Sequence, residues 1–253
     1  MRTELHTHLL PGVDDGPRDD AQALALARLA VADGTRTVVA TPHVSMVDVA
    51  TIPDRVRRLG EVLRREGVPI EVLPGGELSP ADVFGIAPDE LAVIAQGPRS
   101  GRWLLLEAPL MVGGRGLREA AAELRGYGYG VLIGHPERSP AYSLHELSDH
   151  VRQGSVIQIN ASSLVGRHGR RAQQAGLEIA RSGLPFVLAS DAHSDQRPPL
   201  LSAGARVLAT AGLDADTIAV AVDTGAAVLL SDGLAALSAR DLQPGRWIAA
   251  ARS

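Results

Sequence analysis

An α/β fold on a parallel sheet, closed or nearly closed into a barrel, is what this sequence predicts, and three observations carry it. Short apolar runs rich in β-branched and aliphatic residues recur along the chain, bounded by Gly or Pro, as buried parallel strands are. Amphipathic Ala/Leu/Arg-rich segments of helical length separate them. The 253 residues, 45% hydrophobic and 21% charged, suffice for a single domain with a full core, and no repeat or low-complexity linker divides them. An open doubly wound sheet is the alternative. No GxGxxG follows the first run, which argues against its dinucleotide-binding version.

Seven strands are expected at 3–7, 36–41, 70–74, 103–107, 130–133, 155–160 and 186–190. Helices are expected at about 19–33, 54–66, 116–126, 143–153, 170–182, 199–211 and 214–224. The first helix has a capping carboxylate in Asp19 or Asp20 and a left-handed stop in Gly34. Tyr127-Gly128-Tyr129-Gly130 and Gly183-Leu184-Pro185 punctuate later helix ends. The barrel core should span about 1–230. Residues 231–253 read as a short extension of small elements, with Trp247 as a packing anchor.

Composition removes much chemistry. There is no Cys, so thiolate zinc sites, iron–sulfur clusters and cysteine-nucleophile phosphatases are excluded. All 25 basic residues are Arg, which removes a Schiff-base lysine and a Walker-type phosphate loop. A net charge of -4 makes no general case for nucleic acid. The opening Met1-Arg2-Thr3-Glu4-Leu5-His6 lacks the apolar stretch of a signal peptide, so a cytoplasmic location is expected. The most apolar late stretch, 218–230, is broken by Asp223, Thr224 and Gly225 and is far below the roughly 20 residues of a membrane span.

Ionisable residues gather at the predicted strand ends. His6 and His8 alternate on one face of the first strand. His43 lies just past the second strand, Glu77 follows the third after Pro74-Gly75-Gly76, and Glu107 ends the fourth. His135 follows the fifth, and Asp191 and His193 follow the seventh. Asp14-Asp15-Gly16, on its own a turn sequence, lies in the first loop. A parallel barrel brings these carboxyl-end positions to one rim, where such folds build active sites. His145, His150 and His168 fall on or near helices and read as surface residues. Imidazoles and carboxylates without thiolate suit Mn²⁺, Zn²⁺ or Fe²⁺. Nine donors exceed the shell of one ion, so two or three ions sharing carboxylates are expected, with a positive field that favours an anionic substrate. Arg138 and Arg197, close after His135 and His193, have the planar fork that holds phosphate.

His6-Thr7-His8, the run from Leu10 to Gly16, Ala40-Thr41-Pro42-His43, Gly134-His135-Pro136-Glu137-Arg138 and Ala189-Ser190-Asp191-Ala192-His193 resemble the polymerase and histidinol phosphatase (PHP) metal-hydrolase family. The resemblance is closest to its bacterial manganese-dependent tyrosine phosphatases of capsule and exopolysaccharide systems. Gln158-Ile159-Asn160-Ala161-Ser162-Ser163-Leu164-Val165-Gly166 looks like their segment after the sixth strand. The resemblance implies a distorted (β/α)7 barrel and a trinuclear centre. One ion would take His6, His8, Glu77 and Asp191, a second Glu77, Glu107 and His135, and a third Asp15, His43 and His193. The family spacing favours Asp15 over Asp14, and Arg138 and Arg197 match the phosphate-holding arginines. Manganese is the implied metal, with zinc or iron as alternatives. The implied reaction is phosphomonoester hydrolysis by hydroxide generated at the ions, and the implied partner a phosphotyrosine protein such as a tyrosine kinase of polysaccharide synthesis.

The segments after His43 and Glu107 look short or divergent, and aromatic residues make up only 3%, leaving Phe84 and Tyr142 as candidates to wall a phosphotyrosine ring. A small-molecule phosphatase acting on histidinol phosphate is the alternative expectation. A barrel amidohydrolase also begins with HxH but often needs a carboxylated lysine, which this chain lacks. A DNA-processing or non-catalytic PHP domain is disfavoured by the complete donor set and the acidic balance.

Overall fold

The computed structural model describes residues 1–110 and 116–237. Its strands are β1 (Arg2–Thr7), β2 (Thr35–Ala40), β3 (Glu71–Pro74), β4 (Glu77–Leu78), β5 (Trp103–Glu107), β6 (Gly130–Gly134), β7 (Val156–Asn160) and β8 (Phe186–Ala189). Its helices are α1 (Asp20–Ala32), α2 (Ile52–Arg65), α3 (Pro88–Ile94), α4 (Leu117–Gly126), α5 (Leu144–Arg152), α6 (Ala161–Leu164), α7 (Gly169–Arg181), α8 (Leu201–Thr210), α9 (Ala215–Ala219) and α10 (Gly225–Asp232). A π-helical turn, Val220–Thr224, joins the last two. The seven expected strands are all present. The eighth, β4, is a two-residue strand that the apolar-run criterion cannot detect, so Glu77 stands in a strand of its own rather than in the loop after β3. The short helices α3, α6 and α10 lie outside the expected helices, the last of which ends at 224. Trp247 lies outside the described residues.

Every strand pairing is parallel, in two sheets of order β1-β2-β3 and β4-β5-β6-β7-β8. Loop backbone crosses both seams at the carboxyl ends. The Asp191 N–H donates to the His6 carbonyl and the His8 N–H to the Ala192 carbonyl, each at 3.0 Å, and the Glu77 N–H donates to the Pro42 carbonyl at 3.0 Å. Two parallel sheets linked in this way at their carboxyl ends are compatible with the expected distorted barrel. Gly75, just before β4, passes so close to Val39 that a Cβ there would collide with it. The chain needs that closeness to step from one sheet to the next.

Local sequence sets the helix limits. Asp19, not Asp20, caps α1 by accepting from the Gln22 N–H at 2.9 Å, and Gly34 turns the chain with φ 99°. Helix α2 buries Ile52, Val56, Leu59, Val62 and Leu63 on one face, each contributing about 1.5–3 kcal/mol by leaving water. The central strands are buried on both faces, and their inner ends form the core under the mouth. At the opposite end, Trp103 Nε1 donates to the Leu229 carbonyl at 2.8 Å, tying α10 under the barrel. Among the described residues, no helix is long and apolar enough to cross a membrane.

Candidate metal centre

All nine predicted donors meet at the carboxyl mouth. Glu4, His6 and His8 share one face of β1 and its extension, so the imidazoles point inward above Glu4. His43 arrives from the loop after β2, Glu77 from β4, Glu107 from the end of β5, His135 from just past β6, and Asp191 and His193 from the segment after β8. Glu77 is the hub. Its oxygens lie 3.2 Å from His6 Nε2, 3.2 Å from His8 Nε2, 3.1 Å from His43 Nδ1 and 2.9 Å from His135 Nε2. Asp191 Oδ1 lies 3.5 Å from His6 Nε2 and 3.4 Å from His8 Nε2. Glu107 Oε2 is 3.9 Å from His135 Nε2. Asp15 Oδ1 faces His193 Nε2 at 3.1 Å and His43 Nε2 at 3.5 Å.

Four sets of donor atoms are close enough to hold an ion, within 4.8 Å of one another: His8, Asp15, His43 and His193; His6, Glu77 and His135; His6, His8 and Asp191; and His43, Glu77 and Glu107. The overlap differs from the partition the family implies, because His8 also groups with the Asp15 set and Glu107 with His43. Between the neighbouring aspartates the geometry separates two jobs. Asp15 belongs to the cluster, whereas Asp14 stands behind it and accepts from His8 Nδ1 at 2.7 Å and from the Gly16 N–H at 3.0 Å.

The donor set fits divalent ions. His6 Nε2, His8 Nε2, Glu77 Oε2 and His135 Nδ1 are buried without a hydrogen-bond partner. Three of these four orphans, all but His135 Nδ1, belong to ion-pair contacts inside the cluster. Buried polar atoms left this way are costly unless a ligand satisfies them. Backbone strain falls at the same place. His135 (φ 32°) and Asp191 (φ 51°) are the non-glycine residues with positive φ among those described. Such conformations cost about 1–3 kcal/mol each and concentrate at functional sites.

Protonation is redistributed by this crowding. Burial pushes the His6 imidazole down, but Glu77 and Asp191 outweigh it and raise its pKa to about 9. His8 is likewise opposed by burial, yet Asp14, Asp191 and Glu77 hold it well above the usual imidazole range. Burial would raise Glu77 and Asp191, but the surrounding imidazoles keep both well below the usual carboxylate range. Glu107, buried and facing the Glu77 charge, is pushed up to about 7.

Beside the cluster, Arg138 Nη1 donates to Asp191 Oδ2 at 2.6 Å. Arg197 donates to the same oxygen at 3.3 Å and to Asp15 Oδ2 at 3.4 Å. Both arginines open on a cleft of about 430 Å³, also lined by Asp191, Arg167, His168 and Ser162. A larger cavity of about 660 Å³, lined by Gly101, Gly130, Gly154 and Leu234, lies at the opposite end and holds none of the nine donors.

Two of the three helix-associated histidines differ from expectation. His145 is exposed, as predicted. His150 is buried, because it shares the inner face of α5 with Leu147 and Val151, and burial lowers its pKa to about 4. His168 is half-buried on the cleft wall, with Nδ1 2.9 Å from Ser163 Oγ. Glu4 and Glu137 also escaped sequence reasoning, although the Glu4-x-His6-x-His8 alternation places Glu4 on the inner face. Both are buried carboxyls raised to about 7 by burial. Of the two aromatic candidates, Phe84 packs against the core. Tyr142, whose hydroxyl donates to Glu178 at 3.0 Å, lines a pocket of about 130 Å³ with Pro109, Pro136 and Leu147.

The family model described as "Capsular polysaccharide synthesis, CpsB/CapC" matches residues 2–229. A tyrosine-protein phosphatase of Bacillus subtilis, YwqE, is 31% identical over 202 residues, covering 76% of this chain and 77% of the relative. A Staphylococcus aureus protein described as a tyrosine-protein phosphatase, CapC, is 30% identical over 206 residues, covering 78% and 79%. A solved structure from work on YwqE of Bacillus subtilis and CpsB of Streptococcus pneumoniae, described as unique metal-dependent tyrosine phosphatases, superposes with a TM-score of 0.79 at 28% identity, covering 96% of this chain and 97% of that one. An Escherichia coli phosphotriesterase homology protein shares the fold at a TM-score of 0.58 and 16% identity, covering 87% and 95%.

Proposed function

This chain belongs to the CpsB/CapC family of capsular polysaccharide synthesis, and from that membership we propose that it is a metal-dependent protein-tyrosine phosphatase. The observation that carries the reading is the meeting of nine imidazole and carboxylate donors, with orphaned buried atoms among them, beside two arginines on a cleft. His6, His8, Asp15, His43, Glu77, Glu107, His135, Asp191 and His193 would hold two or three divalent ions, with manganese the proposed metal. Such ions, when bound, supply Lewis acidity and a water of lowered pKa.

The chain's own groups do the rest. Arg138 and Arg197 turn their guanidinium donors from Asp191 to the non-bridging oxygens of the phosphate and offset the charge that grows there in the transition state. Asp14 holds His8 by its Nδ1, which leaves Nε2 for the cluster. A tyrosinate leaving group, with a conjugate acid of pKa near 10, needs less protonation than an alkoxide. The substrate proposed is a phosphotyrosine protein, with a tyrosine kinase of polysaccharide synthesis as partner and the cytoplasm as compartment. Tyr142 and its apolar pocket are the proposed wall for the ring.

The test is turnover of a phosphotyrosine peptide and of histidinol phosphate by protein whose metal content has been measured, before and after chelation. Loss of activity on chelation and preference for the peptide are expected. A tenfold preference for histidinol phosphate would replace this reading with the small-molecule one.

A further inference from the structure

Strand β7 gives no imidazole or carboxylate to the mouth, yet its two inward polar side chains touch ligands from three other strands. Gln158 Oε1 lies 3.1 Å from the His135 backbone N–H and 3.0 Å from His6 Nδ1. Gln158 Nε2 lies 2.7 Å from Asn160 Oδ1, and Asn160 Nδ2 lies 2.8 Å from Asp191 Oδ2. Gln158 and Asn160 are both fully buried.

The polarity of this chain is fixed at the Asp191 end. A carboxylate oxygen that receives Arg138 and Arg197 can only accept, so the Asn160 atom facing it must be the amide nitrogen. Asn160 Oδ1 then takes the Gln158 amide nitrogen, which leaves Gln158 Oε1 to face His6 and to share the His135 N–H, whose nearer acceptor is the Gln158 backbone carbonyl at 2.8 Å. Since Gln158 Oε1 only accepts, His6 must carry a proton on Nδ1, and the nitrogen it can give to an ion is Nε2. That atom is one of the buried orphans. At the other end, Asp191 Oδ2 receives Asn160, Arg138 and Arg197, while Oδ1 stays turned to His6 and His8.

We propose that Gln158 and Asn160 are positioning residues that fix the His6 tautomer and limit Asp191 to binding an ion through Oδ1. The proposal rests on the metal-ligand reading above but not on the substrate. Partners of this kind behind metal ligands commonly change affinity by about 10–100-fold when removed.

The experiment compares wild type, Gln158→Leu, Asn160→Leu and Gln158→Glu, using Zn²⁺ as the probe. Zinc affinity is read by chelator competition, and the His6 ring nitrogens by ¹⁵N NMR of the zinc-loaded protein, assigned by their loss in His6→Gln. Wild type should show a slowly exchanging Nδ1–H on His6. Gln158→Leu should lose it, and both Leu variants should bind zinc about 10–100-fold more weakly. Gln158→Glu keeps the acceptor and should keep the Nδ1–H signal, which gives a reading even where a Leu variant fails to fold. Folded Leu variants with wild-type zinc affinity, or loss of the Nδ1–H signal in Gln158→Glu, overturn the proposal. Neither readout uses phosphatase activity, so a failure of the substrate assignment would leave both unchanged.

Discussion

Arg138 and Asp191 are locked together at the edge of the centre, guanidinium Nη1 2.6 Å from carboxylate Oδ2. The arginine thus waits on a carboxylate whose other oxygen faces His6 and His8. Arg138→Ala should lower kcat/KM on a phosphotyrosine peptide by about 10²–10³, the usual cost of losing one preorganised donor to a developing charge. It should also raise the inhibition constant of inorganic phosphate while the bound metal stays at wild-type content. Elemental analysis checks the last point, and loss of metal would reassign Arg138 from phosphate to the ion site.

His6→Ala combined with His8→Ala removes two imidazoles that reach both Glu77 and Asp191. The double variant should have no measurable turnover and a reduced metal count. Wild-type metal content in that variant would contradict the ligand assignment.

Metal removal should also be visible in thermal unfolding, since bound ions would satisfy the orphaned His6, His8 and Glu77 atoms. Manganese at 100 times its dissociation constant would stabilise by about 2.7 kcal/mol, or roughly 5–10 °C in Tm for a chain of this size. Calorimetry of chelated protein with and without added Mn²⁺ measures the shift, and an unchanged Tm would count against a resident metal.

The pH dependence of the metal-free protein follows from His6. Its folded pKa of about 9 lies above the imidazole value of 6.5, so its contribution to stability is complete below 6.5 and is lost as pH rises through 9. Glu107, raised from 4.5 to about 7, works in the same direction, because ionising it in the folded state costs more than in the unfolded chain. Denaturant unfolding in excess chelator should therefore give a lower free energy at pH 9.5 than at pH 6.5. Equal values would mean that these groups do not carry their folded-state charges as described.

Much of this centre was legible in the sequence because the carboxyl ends of parallel strands share a rim, so short motifs up to 187 residues apart could be placed together. All nine predicted donors and both arginines meet there. What could not be read was whatever periodicity does not encode. Strand β4 is too short to show an apolar run, so Glu77 looked like a loop residue. The choice of Asp15 over Asp14 came from family spacing, and its physical reason, the Asp14 bond to His8, needed coordinates. His150 departs from the expected surface position because its spacing from Leu147 and Val151 puts it on the buried face of α5, and the polarity of a histidine does not by itself tell the two faces apart. His168 reaches the cleft through the turn before α7, which sequence does not orient.

The seam between β8 and β1 joins the two ends of the folded chain: Asp191 and His193 complete a cluster that His6 and His8 begin. During synthesis the first two imidazoles leave the ribosome some 185 residues before their last partners. A nascent chain therefore cannot assemble the full site until β8 and the segment after it have docked. A chain that stops short of Asp191 keeps the His6–Glu77–His135 and His43–Glu77–Glu107 sets but lacks the donors that complete the other two.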